Sequence, residues 1–278
     1  MRCIPLSTDA TDATDAIVAS DAIVTSDPFH AFRLDGRVAV VTGASSGLGA
    51  RFATVLDAAG AQVVMAARRV DRLEGMAAGL THATPVACDV SHAADLDRLV
   101  DTCISRFGRI DVLVNNAGIT SVAPAVDEPV EDFRRLLEVN LVAPFLLSRM
   151  VAEQMGRNGG GSIVNIASIV GLVGIGRLPQ AAYSSSKGGL LNLTRELAAQ
   201  WASMNVRVNA LAPGWFESEM TAGMFTSERG LAWITRNTPL ARPGRSDELD
   251  GALLFLASPA SSYVTGAVLP VDGGWTAI

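Results

Sequence analysis

A short apolar run, residues 38–41, passes directly into a glycine-rich turn at residues 42–49. Glycines permit tight turns with positive φ and let backbone N–H groups approach an anion closely. A helical stretch follows, and the positive N-terminal end of a helix favours a phosphate group. Such a turn could merely pack a helix on a sheet, but its place between a first strand and a first helix favours a dinucleotide-binding fold.

Six further short segments have the apolar character of buried strands: 62–67, 84–88, 111–115, 162–167, 206–211 and 267–271. Helical patterns alternate with them; between residues 96 and 107 apolar residues recur at spacings of three and four, and Ser91 is placed to cap that helix. Strands buried on both faces and separated by helices imply right-handed crossovers. The prediction is an α/β fold, a Rossmann-like doubly wound parallel sheet of about seven strands with helices on both faces.

The length and composition predict a single domain, large enough to be catalytic, over residues 34–278. The chain has 278 residues, of which 49% are hydrophobic and 18% charged, so it can bury a large core. Residues 1–33 differ, because Thr-Asp-Ala repeats from Thr8 to Ala16 without a helical or strand period. We expect a disordered N-terminal tail there. A docking segment, or a translation start further into the chain, are the alternatives.

Several classes of partner are disfavoured. The formal net charge of −6 argues against nucleic-acid binding, which needs clustered basic residues. No apolar run approaches the roughly 20 residues that span a bilayer, and the N-terminus lacks the pattern of a secretory signal. The three cysteines, Cys3, Cys88 and Cys103, lack metal-ligand spacing. We therefore expect a cytoplasmic protein without a bound metal, a nucleic-acid partner or a membrane.

The end of the second predicted strand bears on the choice of cofactor. Ala67 stands where an acidic residue would bind a ribose 2′-hydroxyl, and Arg68 and Arg69 follow it. Because arginine pairs with phosphate through charge-assisted hydrogen bonds, this favours NADP(H), with Arg68 as the main contact and Ser45 as a helper. The negative charge of the nearby Asp71 opposes phosphate binding, so NAD(H) stays possible. The alternative is that both arginines are solvated surface charges.

A second motif carries acid–base chemistry. Tyr183 and Lys187 lie four positions apart and therefore share one face of a helix. A tyrosine has a pKa of about 10, and a neighbouring ammonium favours the phenolate, which tunes the group toward general acid–base catalysis. Ser168 follows the strand 162–167, whose carboxyl end faces the ligand crevice. Each residue by itself is more often structural, but their order on these elements favours a catalytic group.

Together these motifs resemble the short-chain dehydrogenase/reductase family over about residues 34–278, with the turn spaced Gly-x-x-x-Gly-x-Gly. The resemblance implies that Tyr183 is the general acid/base and that Ser168 polarises the substrate oxygen. It implies that Lys187 binds the nicotinamide ribose and lowers the pKa of Tyr183, and that Asn140 holds a water for proton relay. The large apolar residues between 215 and 233 occupy the place of a mobile substrate lid.

The same resemblance implies a cofactor site assembled from five loops and the catalytic helix. Asp89 and Val90 would lie at the adenine, Pro213 and Gly214 would flank the nicotinamide, and Ser218 would hold its carboxamide. The full predicted set is Gly43, Ser45, Ser46, Gly47, Leu48, Gly49, Arg68, Asp89, Val90, Asn116, Ala117, Gly118, Tyr183, Lys187, Pro213, Gly214 and Ser218.

The function implied by the resemblance is an NAD(P)(H)-dependent oxidoreductase that interconverts a ketone or aldehyde and an alcohol by hydride transfer. Its small-molecule substrate would be a 3-oxoacyl compound, a sugar acid or a cyclic ketone or alcohol, and the protein would form a homotetramer or homodimer. One alternative is a catalytically silent cofactor-binding regulatory or scaffold protein of the same fold. Another is an isomerase or dehydratase that uses bound NAD internally.

Overall fold

The computed structural model of the protein describes residues 27–278, and seven segments of this part form one sheet in which every pairing is parallel. In chain order the strands are β1 Val38–Thr42, β2 Gln62–Ala67, β3 Ala83–Ala87, β4 Val112–Asn115, β5 Gly161–Ile166, β6 Val206–Pro213 and β7 Val268–Val271. Their spatial order is β3-β2-β1-β4-β5-β6-β7. Each predicted strand is present with its ends within two residues of expectation, and the doubly wound α/β fold is confirmed.

Helices connect the strands and cover the sheet. They are α1 Gly47–Ala58, α2 Val70–Ala77, α3 Ala93–Phe107, α4 Val130–Leu137, α5 Ala143–Arg157, α6 Ala181–Trp201, α7 Ala222–Phe225, α8 Glu228–Asn237 and α9 Asp250–Ala257. A π-helical segment, Glu138–Val142, joins α4 to α5. Across residues 27–278, we find no helix with both the length and the apolar character needed to cross a bilayer.

Side chains of the interior strand β1 are buried alternately in two layers, one on each face of the sheet. Ala39 and Val41 pack in the layer that contains α1 and α9, whereas Val38 and Val40 pack in the layer that contains α3 and α5. This alternation follows from the two-residue period of a strand. Each large apolar side chain that is fully buried stabilises the folded state by roughly 1.5–3 kcal/mol. Together the two layers fix the sheet, and with it the carboxyl ends of its strands.

The start of helix α3 differs from the prediction. The helix begins at Ala93, and His92 occupies the N-cap position without making a capping hydrogen bond. The predicted cap, Ser91, is wrong. The carboxylate of Asp89 accepts hydrogen bonds from both the main-chain N–H of Ser91 (3.0 Å) and its hydroxyl (2.7 Å), which directs that hydroxyl to the preceding turn.

Most of the segment predicted as a tail, residues 1–26, lies outside the described residues. In the described remainder, Pro28–Phe32 forms a short 3-10 helix, and the carboxylate of Asp27 accepts a hydrogen bond from the main-chain N–H of Phe29 at 2.9 Å. Residues Ala31–Ile278 form one compact unit. The division of the chain between residues 33 and 34 stays a prediction.

Candidate active site

A cleft of about 940 Å³ lies at the carboxyl ends of the central strands. The loops that follow β1, β4, β5 and β6 all contribute to its lining. An open α/β sheet binds ligands at this edge, where the strand order reverses. Every residue predicted for the cofactor lines the cleft, as do Ser168, Tyr183 and Lys187. The fourth predicted catalytic residue, Asn140, does not.

The glycine-rich turn packs directly against the segment that follows β4. Gly43 has a φ of +66°, and a Cβ at this position would lie 2.8 Å from the Cα of Ala117. A Cβ on Gly49 would clash with the side-chain amide of Asn116. That amide donates a hydrogen bond to the carbonyl of Thr42 at 2.9 Å. Both glycines are therefore required by close backbone approach, which confirms the steric part of the sequence argument.

Arg68 lies at the exposed side of the cleft, close to Asp89. Burial raises the pKa of the Asp89 carboxyl, but hydrogen bonds from Ser91 and the charge of Arg68 outweigh it, so the pKa lies below its ordinary value. Asp89 is therefore a carboxylate at neutral pH, and its oxygens act as hydrogen-bond acceptors.

The neighbouring arginine makes the direct contact with the glycine-rich turn. Arg69 donates to the hydroxyl of Ser45 through Nε (3.2 Å) and Nη2 (3.1 Å), and to the hydroxyl of Ser46 at 2.8 Å. The sequence interpretation favoured Arg68 and did not assign this role to Arg69. The sequence places both arginines directly after β2, but which of them contacts the glycine-rich turn depends on the directions of their side chains.

Ser168, Tyr183 and Lys187 converge at the end of β5 and the start of α6. The Ser168 hydroxyl is close enough to the phenol of Tyr183 to lower its pKa. The Nζ atom of Lys187 lies 5.7 Å from the centre of the Tyr183 ring and donates to the carbonyl of Ile166 at 2.8 Å. The one-turn spacing on α6 thus brings phenol and ammonium to one face, as the sequence indicated.

Burial controls the ionisation of this group. Burial raises the pKa of Tyr183 to about 12, against the opposing effect of the Ser168 hydroxyl. Burial lowers the pKa of Lys187 to about 8. The sequence interpretation expected the ammonium to lower the pKa of the phenol. In this structure the effect that opposes burial comes from Ser168, and the Lys187 ammonium donates its hydrogen bond to the carbonyl of Ile166.

Asn140 lies behind the cleft in the π-helical segment and is completely buried. Its Oδ1 accepts the main-chain N–H of Ile119 at 2.9 Å, and its Nδ2 donates to the carbonyl of Ile119 at 2.9 Å and to Ser186 at 3.1 Å. Ser186 in turn donates to the carbonyl of Tyr183. Asn140 therefore ties the loop after β4 to the helix that carries Tyr183, and π-helical turns of this kind are frequent at functional sites.

Ser218, on the loop after β6, lies beside the first residue of helix α1, Gly47. A Cβ on Gly47 would be 3.5 Å from the Cβ of Ser218. The Ser218 hydroxyl is 3.1 Å from the hydroxyl of Thr221, and it accepts the main-chain N–H of Thr221 at 3.3 Å. The loop that carries Ser218 is therefore held in a defined turn beside the glycine-rich segment.

The remaining wall of the cleft combines apolar side chains with one amide. Trp215 packs edge-on against Trp233 and Trp275, with ring centres 5.5 and 5.8 Å apart, so part of the predicted lid packs on the body. Met220 and Met224 line the cleft. Gln180, which is 8% exposed, also lines the cleft, and its amide makes no capping hydrogen bond to α6. The sequence interpretation missed Gln180, since nothing in its local pattern marks it as buried.

Comparison with known proteins matches this geometry to one family. The family model described as Enoyl-(Acyl carrier protein) reductase matches residues 43–276. The chain is 38% identical over 250 residues to D-threitol dehydrogenase of Mycolicibacterium smegmatis, covering 88% of this chain and 95% of that protein. It is 39% identical over 246 residues to a 3-oxoacyl-(acyl-carrier-protein) reductase of Thermotoga maritima, covering 87% of this chain and 98% of that protein.

A solved structure agrees with these matches. Gluconate 5-dehydrogenase from Burkholderia cenocepacia, crystallised in complex with NADP and tartrate, superimposes with a TM-score of 0.85 at 36% identity, covering 91% of this chain and all of that one. The fold is thus shared along almost the whole of Ala31–Ile278. The chain belongs to the short-chain dehydrogenase/reductase family of NAD(P)-dependent oxidoreductases, as its motifs predicted.

Proposed function

We propose that this protein interconverts a small hydroxylated alcohol and its ketone with NADP(H), using Tyr183 as the general acid/base. The observation that carries the proposal is the convergence of Ser168, Tyr183 and Lys187 on the cleft that the glycine-rich turn also lines. A dinucleotide site and an acid–base group that share one crevice are what hydride transfer to a carbonyl requires.

Each side chain has a distinct task in this proposal. When bound, the nicotinamide ring supplies or accepts the hydride. Ser168 donates a hydrogen bond to the substrate oxygen, and Tyr183 gives that oxygen a proton during reduction and removes it during oxidation. The ammonium of Lys187 stabilises the phenolate that remains after the proton has left. Burial, which raises the pKa of Tyr183 to about 12, keeps the phenol protonated and ready to donate in the reductive direction.

The arginines after β2 support NADP(H) as the preferred cofactor. Ala67 offers no carboxylate to bind a ribose 2′-hydroxyl, while Arg68 and Arg69 both line the cleft. Guanidinium groups bind phosphate strongly through paired hydrogen bonds. The Burkholderia cenocepacia gluconate 5-dehydrogenase was crystallised with NADP, which agrees with this preference.

Gln180 supports a substrate with a second polar group. Gln180 precedes Tyr183 by three residues and lines the cleft, to which apolar residues such as Ile169 and Met224 also contribute. The Gln180 amide can both donate and accept hydrogen bonds, so a bound molecule that supplies a hydroxyl or carboxylate gains affinity there. Threitol and gluconate, which appear in the names of two similar proteins, each carry several hydroxyls. We therefore favour a polyol or sugar acid over a cyclic ketone or a 3-oxoacyl compound.

The proposal is tested by a substrate screen with both cofactors. Purified protein is mixed with NADPH or NADH and with ketoses or keto sugar acids, 3-oxoacyl thioesters and cyclic ketones, and the absorbance of the reduced cofactor is followed. We expect the highest kcat/KM with NADPH and a hydroxylated ketone. Turnover restricted to 3-oxoacyl thioesters would contradict the substrate class, and no turnover with any member would favour a catalytically silent protein.

We further propose that the protein acts as a homotetramer or homodimer in the cytoplasm. Val126, Val130 and Phe145 expose apolar surface, which supports a contact between copies of the chain. Cys88 and Cys103 are free thiols, as is common in a reducing compartment. Light scattering after gel filtration tests the assembly, because a monomeric mass at micromolar concentration would contradict it.

A further inference from the structure

Glu219 forms ion pairs in the part of the cleft that the glycine-rich turn lines. It lies on the loop after β6, and its carboxylate accepts hydrogen bonds from Arg69 (3.0 and 3.2 Å) and from Arg72 (2.6 Å). The hydroxyl of Ser46 donates to the same carboxylate at 3.1 Å. One acidic side chain therefore joins the loop after β6 to the glycine-rich turn and to the arginines beyond β2.

The partners of Glu219 are the groups that a phosphate on the adenosine ribose would use. Arg69 donates to Ser45 and Ser46, and both of its terminal nitrogens also donate to Glu219. The end of the second strand is where a dinucleotide fold distinguishes a 2′-hydroxyl from a 2′-phosphate. Carboxylate and phosphate oxygens compete for the same planar guanidinium donors. A 2′-phosphate that engages Arg69 must therefore displace Glu219 or lie beside its negative charge.

We propose that Glu219 is a specificity-determining residue, a resident anion that competes with the 2′-phosphate of NADP(H) for Arg69. The proposal rests on the cofactor site proposed above. Its consequence is that Glu219 weakens the binding of NADP(H) and leaves the binding of NAD(H) almost unchanged, because NAD(H) carries no group for this arginine. The protein thus discriminates less between the two cofactors than its arginines would otherwise allow.

The charge on Glu219 is present across the working range of pH. Hydrogen bonds from Arg69 and Arg72 lower the pKa of this carboxyl to about 2. Its side chain is 56% exposed, so water screens the ion pairs and each has a modest effect. Competition through such exposed pairs changes affinity by a few-fold rather than by orders of magnitude.

The test measures binding rather than turnover. Isothermal titration of the full chain with NADPH and with NADH is compared for wild-type protein, Glu219→Gln and Glu217→Gln. Glu217 is the matched control, because it lies two residues away on the same loop, is exposed, and has no ion pair within the described part of the chain. A parallel titration with 2′,5′-ADP and with 5′-AMP isolates the 2′-phosphate, since the two nucleotides differ only in that group.

We expect Glu219→Gln to bind NADPH and 2′,5′-ADP about three- to fivefold more tightly, with NADH and 5′-AMP changed by less than about twofold. Glu217→Gln should leave all four affinities unchanged. An unaltered ratio of NADPH to NADH affinity in Glu219→Gln would overturn the inference. Weaker binding of both dinucleotides would overturn it too, because Glu219 would then fasten the loop over either cofactor. Wild-type protein that binds neither dinucleotide would overturn the proposed function and this inference together.

Discussion

The ammonium of Lys187 donates a hydrogen bond to the main-chain carbonyl of Ile166 across 2.8 Å. This contact joins helix α6 to the last residue of β5 and holds the lysine beneath the Tyr183 ring. A neutral carbonyl compensates only part of the lost hydration of an ammonium. Burial therefore lowers the pKa of Lys187 to about 8, and the positive charge that lies 5.7 Å from the centre of the Tyr183 ring becomes sensitive to pH.

The first prediction concerns the pH at which the ammonium of Lys187 loses its proton. Lys187 is the single lysine of the sequence, so protein labelled with ε-13C lysine should give one side-chain signal that needs no assignment. We expect its midpoint near pH 8, well below the value of about 10.4 for an unperturbed lysine. A midpoint above pH 10 would show that the Ile166 carbonyl and its surroundings fully compensate for burial.

The second prediction concerns stability. Between the folded pKa of about 8 and the unfolded value near 10.5, the unfolded chain binds more protons at this site, so the free energy of unfolding rises with pH. Lys187→Met removes that slope. Relative to the variant, wild-type protein should gain roughly 1–2 kcal/mol between pH 7.5 and about 9.5. Urea unfolding at several pH values provides the measurement, and parallel curves for the two proteins would contradict the prediction.

The third prediction separates chemistry from cofactor binding. Tyr183→Phe removes the proton donor and keeps the ring that packs beside Ile169 and Trp215. We expect kcat to fall by about 10³-fold, while the dissociation constant for NADPH changes by less than about threefold. Tyr263→Phe is the matched control, because Tyr263 is the other tyrosine of the chain and is fully exposed. Retained turnover in Tyr183→Phe would refute the acid/base assignment.

Much of the fold was predictable because its signals are local. Buried parallel strands are short apolar runs, and the run at Val38–Thr42 is bounded by the glycine-rich turn that follows it. The Tyr183–Lys187 pair was predictable for the same reason, since helical spacing brings residues i and i+4 together. In both cases, the residues that define the feature are close in sequence.

The features that the sequence did not predict join distant segments. Arg69 and Glu219 are separated by 150 positions and meet only because β2 and β6 end at the same edge of the sheet. The position of Gln180 in the lining of the cleft likewise depends on residues that are distant from it in sequence. Burial raises the pKa of Tyr183, and the sequence did not indicate this, because a motif identifies a neighbouring charge but not the extent of desolvation.

The fourth prediction compares the two arginines after β2. Arg68→Ala and Arg69→Ala should each weaken NADPH binding about five- to fiftyfold more than NADH binding, because only NADPH offers a phosphate to their donors. Arg157→Ala serves as the control, since this arginine forms an exposed ion pair with Glu153 on α5. Fluorescence titration of wild-type protein and each variant with both dinucleotides measures the dissociation constants. Equal losses for the two cofactors would remove the argument for NADP(H).

The fifth prediction assigns Asn140 a positioning role. Asn140→Ala leaves the main-chain N–H and carbonyl of Ile119 without their partner, which should cost about 2–4 kcal/mol of stability. The freed loop follows directly on Gly118, so we expect kcat to fall further than the folded fraction does. Asn209→Ala is the control, because Asn209 is equally buried and bonds the main chain of residues 264 and 267 instead. It should lose stability and keep its turnover per folded molecule. Thermal unfolding combined with kcat and KM distinguishes the two, and normal turnover in folded Asn140→Ala would leave Asn140 a purely structural residue.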